Sequence, residues 1–97
     1  MITREGDRIT VSGRLTLETA RAAAGALFAD KATVAAGDKL TVDLSQVEAV
    51  DSSAVSVLLQ WLRQARELGV QLSYANSPAN LRSLIGLYGV TDVLPLS

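Results

Sequence analysis

The 97-residue chain contains no cysteine and no histidine. That double absence removes disulfides, thiolate nucleophiles, histidine general bases and the usual zinc ligands together. No cofactor and no metal is therefore expected. Neither sign of charge prevails: nine Lys and Arg residues stand against ten Asp and Glu, for a net charge of −1. With no basic patch and no interleaving of basic and aromatic residues, nucleic acid is not an expected partner. No apolar run approaches the roughly 20 residues that span a bilayer. The opening stretch Met1-Ile2-Thr3-Arg4-Glu5-Gly6-Asp7-Arg8 is polar and carries no signal-peptide hydrophobic core. The expected address is the cytoplasm, with no direct insertion into a membrane.

What remains is a chain that is 48% hydrophobic and 20% charged, which suits a packed core. Its length fits a single domain, residues 1–97, of modest stability. Strand and helix signals alternate without a linker. Ile9-Thr10-Val11 alternates apolar and polar, and Glu5-Gly6-Asp7 turns the chain back from a short first strand. The alanine-rich segment from about Thr16 to Asp30 has helical spacing at Ala20, Ala24, Leu27 and Phe28. Thr16 is its expected cap, and Gly37 ends whatever helix continues through Ala36. Lys39 to Leu44 is the clearest strand, because Leu40, Val42 and Leu44 share a face. A short loop should follow it. Ser53 to Leu68 reads as a long helix closed by Gly69, and Val70 to Tyr74 as a strand. Ser77 should cap a last helix with Pro78 at its first position, and Leu81, Leu84, Ile85 and Tyr88 at apolar spacing. Val93-Leu94 is a candidate final edge strand.

The order β-β-α-β-α-β-α-β predicts an open mixed α/β sheet of four to five strands flanked by helices. Leu40, Val42, Leu72 and Tyr74 are expected in central strands, with the Tyr74 hydroxyl near the surface.

The most informative stretch is Val47-Glu48-Ala49-Val50-Asp51-Ser52-Ser53-Ala54-Val55-Ser56. Asp51, Ser52 and Ser53 stand at the mouth of the long helix, where side-chain oxygens accept from free backbone N–H groups. That end carries positive partial charge, which favours a carboxylate or a phosphate. As a triplet alone, Asp-Ser-Ser needs no function beyond capping.

In its context, Leu40-Thr41-Val42-Asp43-Leu44 followed by Val47, Val50 and Asp51-Ser52-Ser53-Ala54 resembles the STAS domain, named for sulfate transporters and anti-sigma-factor antagonists. The similarity covers nearly the whole chain, including Leu68-Gly69-Val70. It implies an open sheet flanked by helices and a partner surface around the helix that begins at Ser52. In the anti-sigma antagonist branch, the serine matching Ser53 is phosphorylated by a partner kinase. One departure weighs against carrying that over: the glycine usual after the two serines is Ala54 here.

The tail Leu84-Ile85-Gly86-Leu87-Tyr88-Gly89-Val90-Thr91-Asp92-Val93-Leu94-Pro95 is similar to that of MlaB-type STAS subunits. So is the leader, Gly6-Asp7 and then Val11-Ser12-Gly13-Arg14-Leu15. This resemblance implies a cytoplasmic accessory subunit of a phospholipid-transporting ABC system that maintains lipid asymmetry, recruited to the inner membrane through its ATPase partner. The residue matching Ser52 lies at the ATPase contact in that subfamily. Asp51, Ser52, Ser53 and Ser56 are the expected partner-binding residues. The alternative is an anti-sigma-factor antagonist, partnered by an anti-sigma factor or serine kinase and switched at Ser53.

Enzymatic readings find little support. Asp43 and Asp51 as paired carboxylates lack a third ligand or a phosphate-binding glycine loop. Ser52 or Ser53 as nucleophile has no histidine, and neither Lys31 nor Lys39 sits in a base motif. Arg82 reads as a solvated cation. Along the long helix, Val55, Leu58, Leu59 and Leu62 face one way. Ala54, Val57, Trp61 and Leu68 widen the apolar arc to roughly 200°, more than a sheet alone covers. A neighbouring helix or a partner must cover the rest. Trp61 is either core or interface.

Overall fold

The computed structural model describes residues 2–28 and 34–96. Its elements are β1 (Ile2–Glu5), β2 (Arg8–Leu15), α1 (Leu17–Ala26), β3 (Lys39–Val50), α2 (Ser52–Leu68), β4 (Gln71–Ala75) and α3 (Ala79–Leu87). They build the expected open mixed sheet, four strands in the order β1-β2-β3-β4. The hairpin β1–β2 is antiparallel, and its turn rests on Gly6 at φ +61°. The pairs β2–β3 and β3–β4 are parallel. Each parallel pair is joined through a helix, as parallel connections require.

The period-2 pattern of the strands decides which face is covered. Ile9, Val11 and Leu15 on β2, Leu40, Val42 and Leu44 on β3, and Leu72 and Tyr74 on β4 are all buried. The residues between them, such as Arg8, Thr10, Thr41 and Ser73, stay exposed or half-buried. α2 carries the other half of the core: Ala54, Val55, Val57, Leu58, Trp61, Leu62 and Ala65. Its wide apolar arc is met by neighbouring helices. Trp61 is fully buried, and its indole Nε1 donates to the Ala23 carbonyl at 2.9 Å. Gln64 donates to the Ala24 carbonyl at 3.0 Å. Both acceptors lie in the last turn of α1, where carbonyls have no partner within the helix. Trp61 is therefore core.

Several boundaries depart from expectation. α1 ends at Ala26, and residues 34–36 are not helical, so the helix does not continue through Ala36; residues 29–33 lie outside those described. Ala36 and Gly37 instead form a turn, and Gly37 donates to the Gly69 carbonyl at 2.8 Å. β3 does not stop at Leu44 but runs on to Val50. Its register against β2 slips between Thr10 and Ser12 and again between Gly13 and Arg14. At each slip β3 takes one more residue than β2, the signature of a bulge. One bulge holds Asp43, Leu44 and Ser45, and the Ser45 N–H donates to Asp43 Oδ1 at 2.9 Å. Ser45 and Gln46 are both exposed, which breaks the alternation that marks a strand in sequence.

β4 is an edge strand, not a central one, so Leu72 and Tyr74 are core residues at the sheet's margin. The expected last strand at Val93-Leu94 is reduced to one bridge, Tyr74 to Leu96, with the Tyr74 N–H donating to the Pro95 carbonyl at 2.9 Å. Pro78 is the cap residue of α3, outside its first turn, and the Ser77 hydroxyl is buried without a hydrogen-bond partner. Tyr74 is wholly buried, contrary to the surface hydroxyl expected of it, and its O–H donates to the Leu58 carbonyl at 2.5 Å.

Candidate functional site

The site is built where β3 hands the chain to α2. Asp51 holds extended backbone, φ −135°, and ends the strand. Its Oδ1 accepts from the Ser53 N–H at 2.8 Å, so Asp51, not either serine, caps α2. Its Oδ2 accepts from the Leu17 N–H at 2.9 Å, in the first turn of α1. One carboxylate thus closes the N-terminal ends of two helices. The Leu17 N–H, with the Ser53 N–H and hydroxyl, holds the Asp51 carboxyl below its ordinary value of 3.8. A depressed acid contributes stability that is complete above that ordinary value and lost as pH falls below it.

With Asp51 capping, Ser52 and Ser56 are released for other work. Ser52 and Ser56 are exposed one turn apart, and Ser53 is half-buried between them. Together with Val55, Leu59, Tyr88 and Val90 they line a groove of about 430 Å³ between α2 and the end of α3. Three serines and four apolar or aromatic side chains line it, and none of these residues is charged. Three of the four expected contact residues therefore face one surface, and the fourth, Asp51, anchors it from within.

Sequence reasoning missed Val55, Leu59, Tyr88 and Val90 as site residues. Tyr88 lies at core spacing on α3, yet it falls at the helix's end beside Gly89 and is 53% exposed. That position at a glycine-terminated end was the available signal.

The other candidates do not converge. Asp43 sits on the open face of the sheet, paired with Arg8 Nη2 at 2.6 Å. The Ser45 N–H and Arg8 hold its carboxyl far below the ordinary range. It pairs in register with Thr10, whereas the Asp51 N–H donates to the Leu15 carbonyl. Five residues of strand, roughly 16 Å, separate those two levels, so the carboxylates form no catalytic pair. No group of three or more metal-ligating side chains occurs among the described residues. Arg82 is exposed on α3. No helix among the described residues is long and apolar enough to cross a membrane.

A family model described as "Mlab, STAS domain" matches residues 1–95. The chain belongs to the MlaB-type STAS domain family. Solved structures share the fold. A putative anti-sigma factor antagonist from Thermotoga maritima superposes with a TM-score of 0.76 at 17% identity, over 99% of this chain and 83% of that one. The anti-sigma factor antagonist SpoIIAA in its unphosphorylated form gives 0.73 at 13% identity, over 100% and 86%. A sulfate transporter family protein from Wolinella succinogenes gives 0.72 at 14% identity, over 93% and 74%. No curated protein sequence matches the chain.

Proposed function

We propose that this STAS domain is a non-enzymatic accessory subunit of a phospholipid-transporting ABC system. It binds the ATPase subunit in the cytoplasm through the Ser52 end of α2, and that partner brings it to the inner membrane. The observation that carries this reading is the surface itself: exposed hydroxyls of Ser52 and Ser56 beside an uncharged groove, on a helix end already capped from within. The MlaB-type family match supports the choice of partner. The phospho-switch alternative has less in its favour. Ser53 is half-buried, and its amide is bonded to a carboxylate that a phosphoryl group would repel.

The test is co-purification with the ATPase for Ser52→Ala and Ser52→Arg. Because Asp51 is the cap and Ser52 is exposed, Ser52→Ala should change stability by less than about 0.5 kcal/mol. Ser52→Arg puts bulk and positive charge at the positive end of α2 and should release the ATPase while the domain stays folded. A folded Ser52→Arg chain that keeps its ATPase at wild-type affinity refutes the reading. A stoichiometric phosphoryl group on Ser53 in cells, seen by intact mass, would favour the switch.

A further inference from the structure

Four large apolar side chains stand exposed among the described residues: Leu17, Leu87, Tyr88 and Val93. Single exposed leucines are ordinary and decide nothing alone. Leu17 differs in how it is held. It is the first residue of α1 and 78% exposed, so its side chain contributes little to the core. Its backbone, however, is fixed to the far side of the serine loop. The Leu17 N–H meets Asp51 Oδ2 at 2.9 Å, Oδ1 holds Ser53, and the Asp51 N–H donates to the Leu15 carbonyl at 3.3 Å. Leu17 is therefore tied by its backbone to the residue that caps the serine end of α2, although 34 positions separate it from Asp51.

We infer that Leu17 is a contact residue of the docking surface and that Asp51 is the positioning residue that sets it there. This rests on the reading that the Ser52 end of α2 meets the partner. Tyr88 brings an exposed ring to the same helix end from α3. Leu17, held at Asp51, and Tyr88, in the groove, are thus exposed apolar residues at the end of α2 that carries the serine hydroxyls.

Charge defines the occupant. Both oxygens of Asp51 are taken up by helix N–H groups, and no groove-lining residue is charged. A charged anchor from the partner would lose its water there without gaining a counter-ion. The matching contact on the ATPase is an apolar side chain of leucine, methionine or phenylalanine type, with neighbouring backbone groups placed to meet the hydroxyls.

The experiment measures affinity of the full chain for the purified Mla-type ATPase subunit of the same organism. Leu17→Ala, Leu17→Asp, Asp51→Asn and the Leu17→Ala/Asp51→Asn double variant are compared, with Ser52→Arg as reference. Leu17→Ala should weaken binding about tenfold and Leu17→Asp more, at unchanged melting temperature. Asp51→Asn keeps one acceptor oxygen and should weaken binding in the same direction. In the double variant the combined loss should be smaller than the product of the two single losses, because Asp51 acts partly through Leu17. Wild-type affinity in both Leu17 variants, with binding lost in Ser52→Arg, overturns the role of Leu17 and leaves the docking reading standing. Losses that multiply in the double variant overturn the positioning role of Asp51. Wild-type affinity in Ser52→Arg as well overturns the docking reading itself.

Discussion

Burying a tyrosine whole takes its hydroxyl out of water, and the loss is offset only where the O–H finds an acceptor. Tyr74 finds the Leu58 carbonyl, in the middle of α2, and so ties the edge strand to the central helix. Burial also pushes the phenol well above its ordinary value of 10.0, because the phenolate cannot be solvated there. Tyr74→Phe should therefore cost about 1 kcal/mol near neutral pH, read from denaturant unfolding. The sign of the alkaline effect follows from the raised value. Stability carried by the neutral phenol is complete below pH 10.0, the value for an unfolded tyrosine, and declines as pH rises above it. The wild-type chain should lose stability along that limb, and Tyr74→Phe should flatten it. An unchanged limb would show that the ring ionises in the fold. Nothing in Val70 to Tyr74 discloses this bond, because alternation shows only which face a side chain takes. Asp51 is similar. Its capping role can be read from Asp-Ser-Ser, but its second bond, to Leu17, depends on how two distant junctions meet.

Among the elements, α2 is the one whose sequence is most explicit, from its acidic cap to its glycine end. Gly69 stands at φ +72°, where an L side chain is strained, and donates to the Ala65 and Arg66 carbonyls. A Cβ there would lie 3.1 Å from the Ala36 Cβ, against the turn that leads into β3. Gly89, after α3, has nearly the same backbone, φ +68°, but nothing within 4 Å of the position a Cβ would take. The comparison separates backbone strain from crowding. Gly89→Ala should cost about 1 kcal/mol from the backbone alone. Gly69→Ala should cost more, because Ala36 must also give way. Equal losses in thermal unfolding would mean that the Ala36 turn yields freely. β3 was only half legible for a physical reason. Leu40, Val42 and Leu44 alternate, but each bulge resets the alternation, and only pairing with β2 carries the strand on to Val50. The last helix misled at its start because Ser77-Pro78 has the composition of a cap and first position. The fold instead buries Ser77 and uses Pro78 as the entry residue.

At the scale of the whole molecule, the helices among the described residues cover one face of the sheet, and the Arg8–Asp43 pair stands on the other. The class and element order were legible because hydrophobic periodicity is local, whereas strand order is not. β4 reads as strongly as β3, yet among the described residues it lies at the edge with the isolated Leu96 bridge beyond it. The groove was legible in its serines alone: Val55 and Leu59 share α2 with them but read as core, and Tyr88 and Val90 join only where the end of α3 packs on α2. The sheet order has a measurable consequence. β2 and β3 are paired on both sides and feed Ile9, Val11, Leu40, Val42 and Leu44 into the core. Their amides should exchange with solvent only when the whole domain unfolds, with the free energy and denaturant slope of global unfolding. β1 is paired on one side and buries no residue fully, its four positions running from half-buried at Ile2 to exposed at Glu5. It should open on its own, giving Thr3 and Arg4 faster exchange that depends little on denaturant. Residue-resolved exchange under native conditions reads both classes at once. Thr3 protected as strongly as Val42 would mean that the hairpin opens only with the domain. Rapid exchange across Leu40 to Leu44 would overturn the central placing of β3.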